Sequence, residues 1–557
     1  MKKKCFVIFA TLLLAPALVF AVGSRQQSQG ATQAASFLTP PGQLPIVTQP
    51  TTISLGLPNR PSVNDWYNNY LTRYVQQNTG ITLRFELFPL DSDGITQFEL
   101  MVASGQRLPD ILSLWGPGNW RTHGENGVFI DLNPYYDRYA YFYNQAMDKL
   151  RAKYGNDSEV NRIKMKMSSS TGKRFGYPQY DNSLGDATFS NTFINTTWLT
   201  RLGLRMPTTT QELRDVLVAF RDRDPNGNGR RDEIPMMGAP QQYNANIINW
   251  LINAFVYWYP YGLFNVTDGR LWTPWTTEEY RNALRYISGL VSDGLLSELA
   301  FSATSDDLRA LMNPPNDVFT VGVSAGHGTL LWNNGSSVVD NYALLPSVTG
   351  PAGANYTAMG FPGISLISFI TKDAQYPDVA FRLLDFFTRE ETSMVIRWGQ
   401  EGVDWTPLPA GSNLVNSNGL PARFTSPNTL WGSTSQNTNW NHTIGFFNID
   451  NGPARVISDD WVGKRTQIYL NQVSLAFGKQ PKDMVDDILY TEEEWESIRE
   501  LQNTINTYVE EQKDLFASGR RNLDSDWNTY LNELNRMGLQ RWLEISQRAY
   551  TRTMSLF

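Results

Sequence analysis

The hydrophobic pattern predicts an α/β protein built as two lobes with a helical C-terminal layer. Three observations carry this. Strand-like and helix-like periods alternate from Thr52 to Trp115, the alternation returns between Pro207 and Thr388, and from Thr491 onward only helical periods remain. At 557 residues the chain is too long for a single core and should divide into two or three domains.

Ile53, Leu55 and Leu57 alternate as in a strand. Ser62 then opens a predicted helix, with Asp65 three residues on; Val63, Trp66, Tyr67, Tyr70, Leu71 and Tyr74 form its apolar stripe and Gly80 closes it. Ile81, Leu83, Phe85 and Leu87 give a second strand, residues 94–105 a helix, and Asp110–Trp115 a short strand. Such a β-α-β-α-β order predicts a mostly parallel sheet covered by helices. Farther on, Gln211–Arg221 is a helix, and Tyr280, Leu284, Ile287 and Val291 lie on one helical face. Val318–Val323, Asn341–Leu345 and Gly363–Thr371 read as strands, and Pro377–Thr388 as an amphipathic helix. In the tail, Trp495, Ile498, Leu501, Ile505 and Tyr508 form one stripe, and Trp527, Leu531 and Leu534 another.

Residues 1–21 have the form of an export signal: Lys2, Lys3 and Lys4, then an uncharged apolar run from Cys5 to Phe20, with Val19 and Ala21 as small residues before a cleavage point. An uncleaved signal would instead tether the protein to the membrane. Residues 22–50, rich in Gln, Ser, Ala and Gly, read as a flexible tether. Cleavage would move the formal charge from −7 to about −10 by removing three lysines, and Cys5, the one cysteine, would go with them. An exported, mildly acidic chain without disulfide or thiolate chemistry follows, and nucleic-acid binding is excluded as a role. Aromatic residues make up 13% of the chain, enough to supply flat faces for ligand stacking as well as core.

One stretch has the makings of a metal loop. In Asp-Pro-Asn-Gly-Asn-Gly-Arg-Arg-Asp-Glu-Ile-Pro (224–235), oxygen donors fall at Asp224, Asn226, Asn228, Asp232 and Glu233, with the Arg230 carbonyl and a sharp turn at Gly229. This EF-hand-like spacing suits calcium, which wants six to eight hard oxygens, and the lack of His or Cys argues against zinc. A frame from Asp222 to Glu233 fits less well, since it puts Gly227 at the turn and leaves Asp232 unused. A run of Asx-turns without any ion is the plain alternative. A filled coordination shell would make the ion structural.

Signal, tether, alternating lobes and acidic loop together resemble the extracellular solute-binding proteins (family 1) of ABC importers. The resemblance is narrower to the calcium-containing binders of oligosaccharides and alginate oligosaccharides and to LipO-like lipoproteins. It covers about residues 50–557 and is carried by the loop above, by DVAFRLLDFFTREETSMVIRWGQEGVDW (378–405) and by SDWNTYLNELNRMGLQRWLEISQRAYTR (525–552). LipO-like members carry a lipidated cysteine after the signal, which this chain lacks. The resemblance implies a type II periplasmic-binding fold, two α/β lobes that close on ligand about a hinge. The expected division is 51–180 with 360–402 for the first lobe and 181–359 with 403–557 for the second, the chain crossing near Phe175–Asn195, Gly360 and Gly402.

Ligands of open α/β sheets bind beyond the carboxyl ends of strands. That rule selects Asn59 and Arg60 after the first strand, and Trp115 and Trp120 around the Gly116–Asn119 loop. It also selects His327 and Trp332 after the 318–323 strand, a segment resembling the sugar-stacking loop of maltose binders. Trp405 after the Gly-Gln-Glu-Gly turn and Trp461 at a late helix complete the set, with Trp258 in the Tyr257–Tyr261 cluster, where packing is the competing role. The expected activity is capture of a carbohydrate, an oligosaccharide by resemblance, by a monomer that hands it to membrane permease subunits without chemistry. The competing classes are a secreted hydrolase or lyase with structural calcium, and a sugar-sensing surface protein. Against an enzyme, no zinc or phosphate-cradling motif occurs, and His123, His327 and His442 are scattered.

Overall fold

A computed structural model describes residues 36–557, apart from 115–118, 183–190, 241–243, 260–263, 316–317, 328–330, 334–335, 362, 417–419, 427–434, 451, 453–467, 469–470, 473 and 477. Trp115, Trp461 and the export signal lie outside the described residues.

In the first lobe the chain forms β1 (Thr51–Pro58), α1 (Tyr70–Thr79), β2 (Ile81–Phe88), α2 (Asp91–Ser104) and β3 (Ile111–Leu112). It continues through α3 (Trp120–Glu125), α4 (Asn133–Tyr139), α5 (Tyr141–Tyr154), α6 (Ser158–Met167) and β4 (Gly176–Asp181). β1 pairs in parallel with both β2 and β3. As a central strand covered on both faces it buries every residue but Thr52, which is why its apolar run is denser than simple alternation.

The second lobe follows with β5 (Thr192–Asn195), α7 (Thr196–Leu202), α8 (Thr210–Asp222), β6 (Ile234–Met237), α9 (Ile247–Ile252), the hairpin of β7 (Asn265–Thr267) and β8 (Arg270–Trp272), α10 (Glu278–Ser292), α11 (Ser305–Met312), β9 (Val321–Ala325) and β10 (Tyr342–Leu345). The chain then re-enters the first lobe as β11 (Gly363–Ile370), α12 (Pro377–Thr388), α13 (Glu390–Trp398), the pair β12 (Thr406–Pro407) and β13 (Phe424–Thr425), and β14 (Phe447–Asn448). It ends on the second lobe with α14 (Glu492–Ala517), α15 (Leu523–Arg536) and α16 (Leu539–Leu556). The sheets run β14-β4-β11-β3-β1-β2 and β10-β5-β9-β6, each over its own core. The helical layer joins the second core: Ile498, Ile505 and Phe516 of α14 pack with Tyr280, Leu284 and Ile287 of α10, and Trp542 of α16 lies against Phe264 and Trp275.

Three expectations are corrected. Residues 36–50 are built into the first lobe and are not a free tether: Phe37, Ile46 and Val47 are buried in the first core, and Arg382 donates to the carbonyls of Thr39, Pro40 and Gln43. The first helix starts at Tyr70, capped by the Asn69 side chain on the Leu71 N–H. Residues 62–69 take turns instead, because the Asp65 carboxylate binds the N–H groups of Tyr67 and Asn68 and a distant segment supplies partners, with Asn64 N–H on Gln436 O and Tyr70 N–H on Asn437 O. Finally, 403–448 stays on the first lobe: Phe447 and Asn448 pair with Tyr180 and Asp181, and Trp440, Ile444 and Phe446 fill the first core.

Within that lobe Asp385, 1% exposed, fastens α12 to the start of α5 by accepting the N–H groups of Tyr141, Phe142 and Tyr143 at 2.9–3.1 Å. Burial pushes its carboxyl up to about 6, and those bonds and Arg382 only partly offset the shift. The folded chain then holds this proton more tightly than the unfolded chain, so the group's contribution is full below about pH 4 and is lost as pH rises to about 6. Asp385→Asn should flatten the melting temperature against pH across that window. It should also cost about 1–3 kcal/mol at the acid end, where one carboxamide oxygen must serve three donors. Thermal melts from pH 4 to 7 test both, and an unchanged slope would show that Asp385 does not titrate there.

Candidate functional site

In open α/β sheets the ligand site lies beyond the carboxyl ends of the strands. On the first lobe, β1 ends at exposed Asn59, whose N–H binds Phe88 O at 2.7 Å, and at Arg60. β4 ends at Asp181, opposite Gly363 of β11. On the second lobe, β9 leads to Gly326 and His327, with the Gly326 N–H on Asn191 O, and β10 leads to Ser347.

A charged cluster lines the first-lobe edge. Asp181 accepts from the Asn448 amide at 2.8 Å and lies 3.4 Å from the Arg397 guanidinium. Arg397, 5% exposed, lies against the Trp398 and Phe446 rings at 4.8 and 5.5 Å, and its Nη1 is 3.3 Å from His442 Nε2. Since the guanidinium donates, that histidine nitrogen accepts. Burial, and then the charges of Arg397 and Arg60, hold His442 well below its ordinary pKa, so the ring is neutral.

Between the lobes lies a cavity of about 300 Å³, walled by Trp120, Arg121 and Glu125 from one side and Asp487, Tyr490 and Trp495 from the other. Ion pairs bridge the lobes beside it: Arg121 to Asp487 at 2.7 Å, Arg162 to Asp486 at 2.8 Å and Lys166 to Asp486 at 3.0 Å. Burial raises the Asp487 carboxyl, but Arg121 and Lys166 outweigh it and hold the group below the usual range. Glu125 is engaged by Ser169, Thr171 and Lys173. Each of these cavity acids is therefore held by cations or hydroxyls.

The aromatic candidates divide. Trp120 borders the cavity with the Arg121 guanidinium 4.4 Å from its ring. Trp405 is half-buried after the turn, its indole N–H on Gly399 O at 3.1 Å and its ring edge-on to Phe424. Trp258 and Trp332, expected to line the cleft, belong to core clusters instead. Trp258 stacks on Tyr280 at 5.5 Å with Lys513 over its other neighbourhood at 5.7 Å, and Trp332, 2% exposed, meets Phe193 edge-on at 4.9 Å. Buried chain neighbours, Val256 for Trp258 and Leu331 for Trp332, belong to the same clusters. His327 is buried at the second-lobe edge. Sequence reasoning did not single out Asp181, Arg397, Trp398, His442 or Trp495. The signal for Arg397 and Trp398 was present in the Ile-Arg-Trp-Gly segment quoted above, while His442 and Trp495 reach the site only through tertiary packing.

In the acidic loop, Asp224 takes φ 45° and accepts the N–H groups of Gly227, Asn228 and Gly229, while both glycines hold φ above 70°. The amides of Asn226 and Asn228 donate to Asp232. Burial raises the Glu233 carboxyl, Asp224 and Asp232 add to the shift, and its Oε1 is buried without a hydrogen-bond partner among the described residues. By themselves the acids do not gather into a three-residue metal cage. Two carboxamides lie between them, and half a turn of each amide would present oxygen in place of nitrogen. An all-oxygen set with an orphaned buried carboxylate oxygen fits a hard divalent cation.

The profile of the bacterial extracellular solute-binding proteins matches residues 60–394. Among curated proteins, the fructooligosaccharide ABC transporter substrate-binding protein FusA of Streptococcus pneumoniae is 25% identical over 577 aligned residues, covering 99% of this chain and 98% of that one. Lipoprotein LipO of Bacillus subtilis is 27% identical over 224 residues, 40% of each chain. Among solved structures, an extracellular solute-binding protein of Bifidobacterium longum subsp. infantis superposes with a TM-score of 0.70 at 17% identity, covering 90% of this chain and 98% of that one. Alginate-binding protein AlgQ2 without calcium gives 0.59 at 18%, covering 91% and 99%. These superpositions share the fold: two lobes of the type II periplasmic-binding kind.

Proposed function

Since this chain belongs to the bacterial extracellular solute-binding proteins, we propose that it captures an oligosaccharide between its lobes and delivers it to the membrane subunits of an ABC importer. The full-length relationship to a substrate-binding protein named for fructooligosaccharide supports the sugar class. The observation that carries the reading is the interlobe cavity, where Trp120 and Trp495 offer aromatic faces beside polar groups from both lobes. Sugar C–H faces stack on such rings, and amides, carboxylates and guanidinium groups read the hydroxyls. Lobe closure then presents a liganded shape to the permease, and release replaces catalysis.

Hydrolysis would need two carboxylates free to act across a bond. Glu125, Asp486 and Asp487 are each tied to lysine, arginine or hydroxyl partners, which favours binding over cleavage. Export is in keeping with the family, and no helix among the described residues is long and apolar enough to cross a membrane. Calcium, held by Asp224, Asn226, Asn228, Asp232, Glu233 and the Arg230 carbonyl, would supply a rigid join between α8 and β6 and take no part in ligand chemistry.

Tryptophan-fluorescence titration with an oligosaccharide panel should give saturable binding that weakens at least about 10-fold in Trp120→Ala, with the sugar recovered uncut by mass spectrometry. Cleaved products would overturn the reading. For the loop, calcium at about 100-fold over its Kd should add roughly 2.7 kcal/mol of stability, seen as a higher melting temperature that chelator reverses and Asp224→Ala abolishes. A chelator-insensitive melt would retire the ion.

A further inference from the structure

The carboxyl end of β1 carries a charge that its described neighbours leave uncompensated, and this bears on the kind of sugar, resting on the capture reading above. We infer that Arg60, at the carboxyl end of β1, binds a carboxylate on an acidic oligosaccharide. The Arg60 side chain makes no ion pair or hydrogen bond among the described residues, and its Nε is buried. Its charge is felt at buried His442, which also faces Arg397, so two guanidinium groups flank one neutral ring. Asp181 is already shared between Arg397 and the Asn448 amide.

The second lobe repeats the pattern. The Lys479 ammonium is held only by neutral oxygens, Ser347 Oγ at 2.9 Å and Asn355 Oδ1 at 3.2 Å, beside the exit of β10. Burial lowers its pKa and no carboxylate opposes that. A neutral sugar would satisfy the N–H groups of these cations with hydroxyls but leave the charge unbalanced. A carboxylate meets the planar guanidinium fork with two parallel bonds and cancels its charge in a partly desolvated place.

Fluorescence titration of the full chain with trigalacturonate and sialyllactose, their methyl esters and neutral kestose tests this directly. At least one acid should bind about 10-fold or more tighter than its ester, a preference that shrinks as salt is raised. Arg60→Gln should erase that preference by weakening the acid more than its ester or kestose, and Lys479→Gln should weaken the acid by several-fold. Arg60→Lys, which keeps charge but not the fork, should recover part of the loss. Kestose or an ester binding as tightly as every acid, or an Arg60→Gln variant with undiminished acid affinity, overturns the proposal and leaves sugar capture standing. Absence of binding in all arms overturns both.

Discussion

Three strands lying side by side, β14, β4 and β11, hold the two lobes as one molecule. Each is the place where the chain leaves or enters the first lobe: β4 before it builds the second lobe, β11 on its return, and β14 before its last departure. Their register locks at one point, where Tyr180 and Asp181 pair with Ile364 and Gly363 on one side and with Phe447 and Asn448 on the other. Each lobe has a separate hydrophobic core. Bending there costs little compared with disrupting either core, so the lobes can move as rigid bodies.

That constraint also places the chemistry. Because Asp181 is both the last residue of a crossing strand and the acid beside Arg397, the hinge and the first-lobe wall share a residue. Ion pairs from Arg121, Arg162 and Lys166 to Asp486 and Asp487 tie the lobes again at the cavity. Arg162 and Asp486 are only 10% and 12% exposed, so this contact is less screened than a surface pair.

Long periodic segments were legible in the sequence: the helices at Gln211, Tyr280, Pro377 and Thr491 all form close to where their apolar stripes predict. Local signals failed where a remote segment supplied the partner. Ser62 and Asp65 read as a helix start, yet residues 436–438 provide strand-like hydrogen bonds that hold the backbone out of helix until Asn69. The same segment belongs to the first lobe through Trp440, whose indole N–H meets Thr72 across the core, a contact no local pattern announces. For the site, strand ends pointed to Asn59 and Arg60, but aromatic residue type alone could not separate cleft from core. Trp120 borders the cavity, whereas Trp258 and Trp332 complete hydrophobic clusters.

Hinge closure on an intact sugar is best tested by a distance across the cleft. The one cysteine, Cys5, lies in the expected signal, so Ser104→Cys and Ser292→Cys place spin labels on exposed ends of α2 and α10, one per lobe. Pulsed electron paramagnetic resonance should show the interlabel distance shorten and its spread narrow when a binding oligosaccharide is added. A distribution unchanged at saturating sugar would contradict the account.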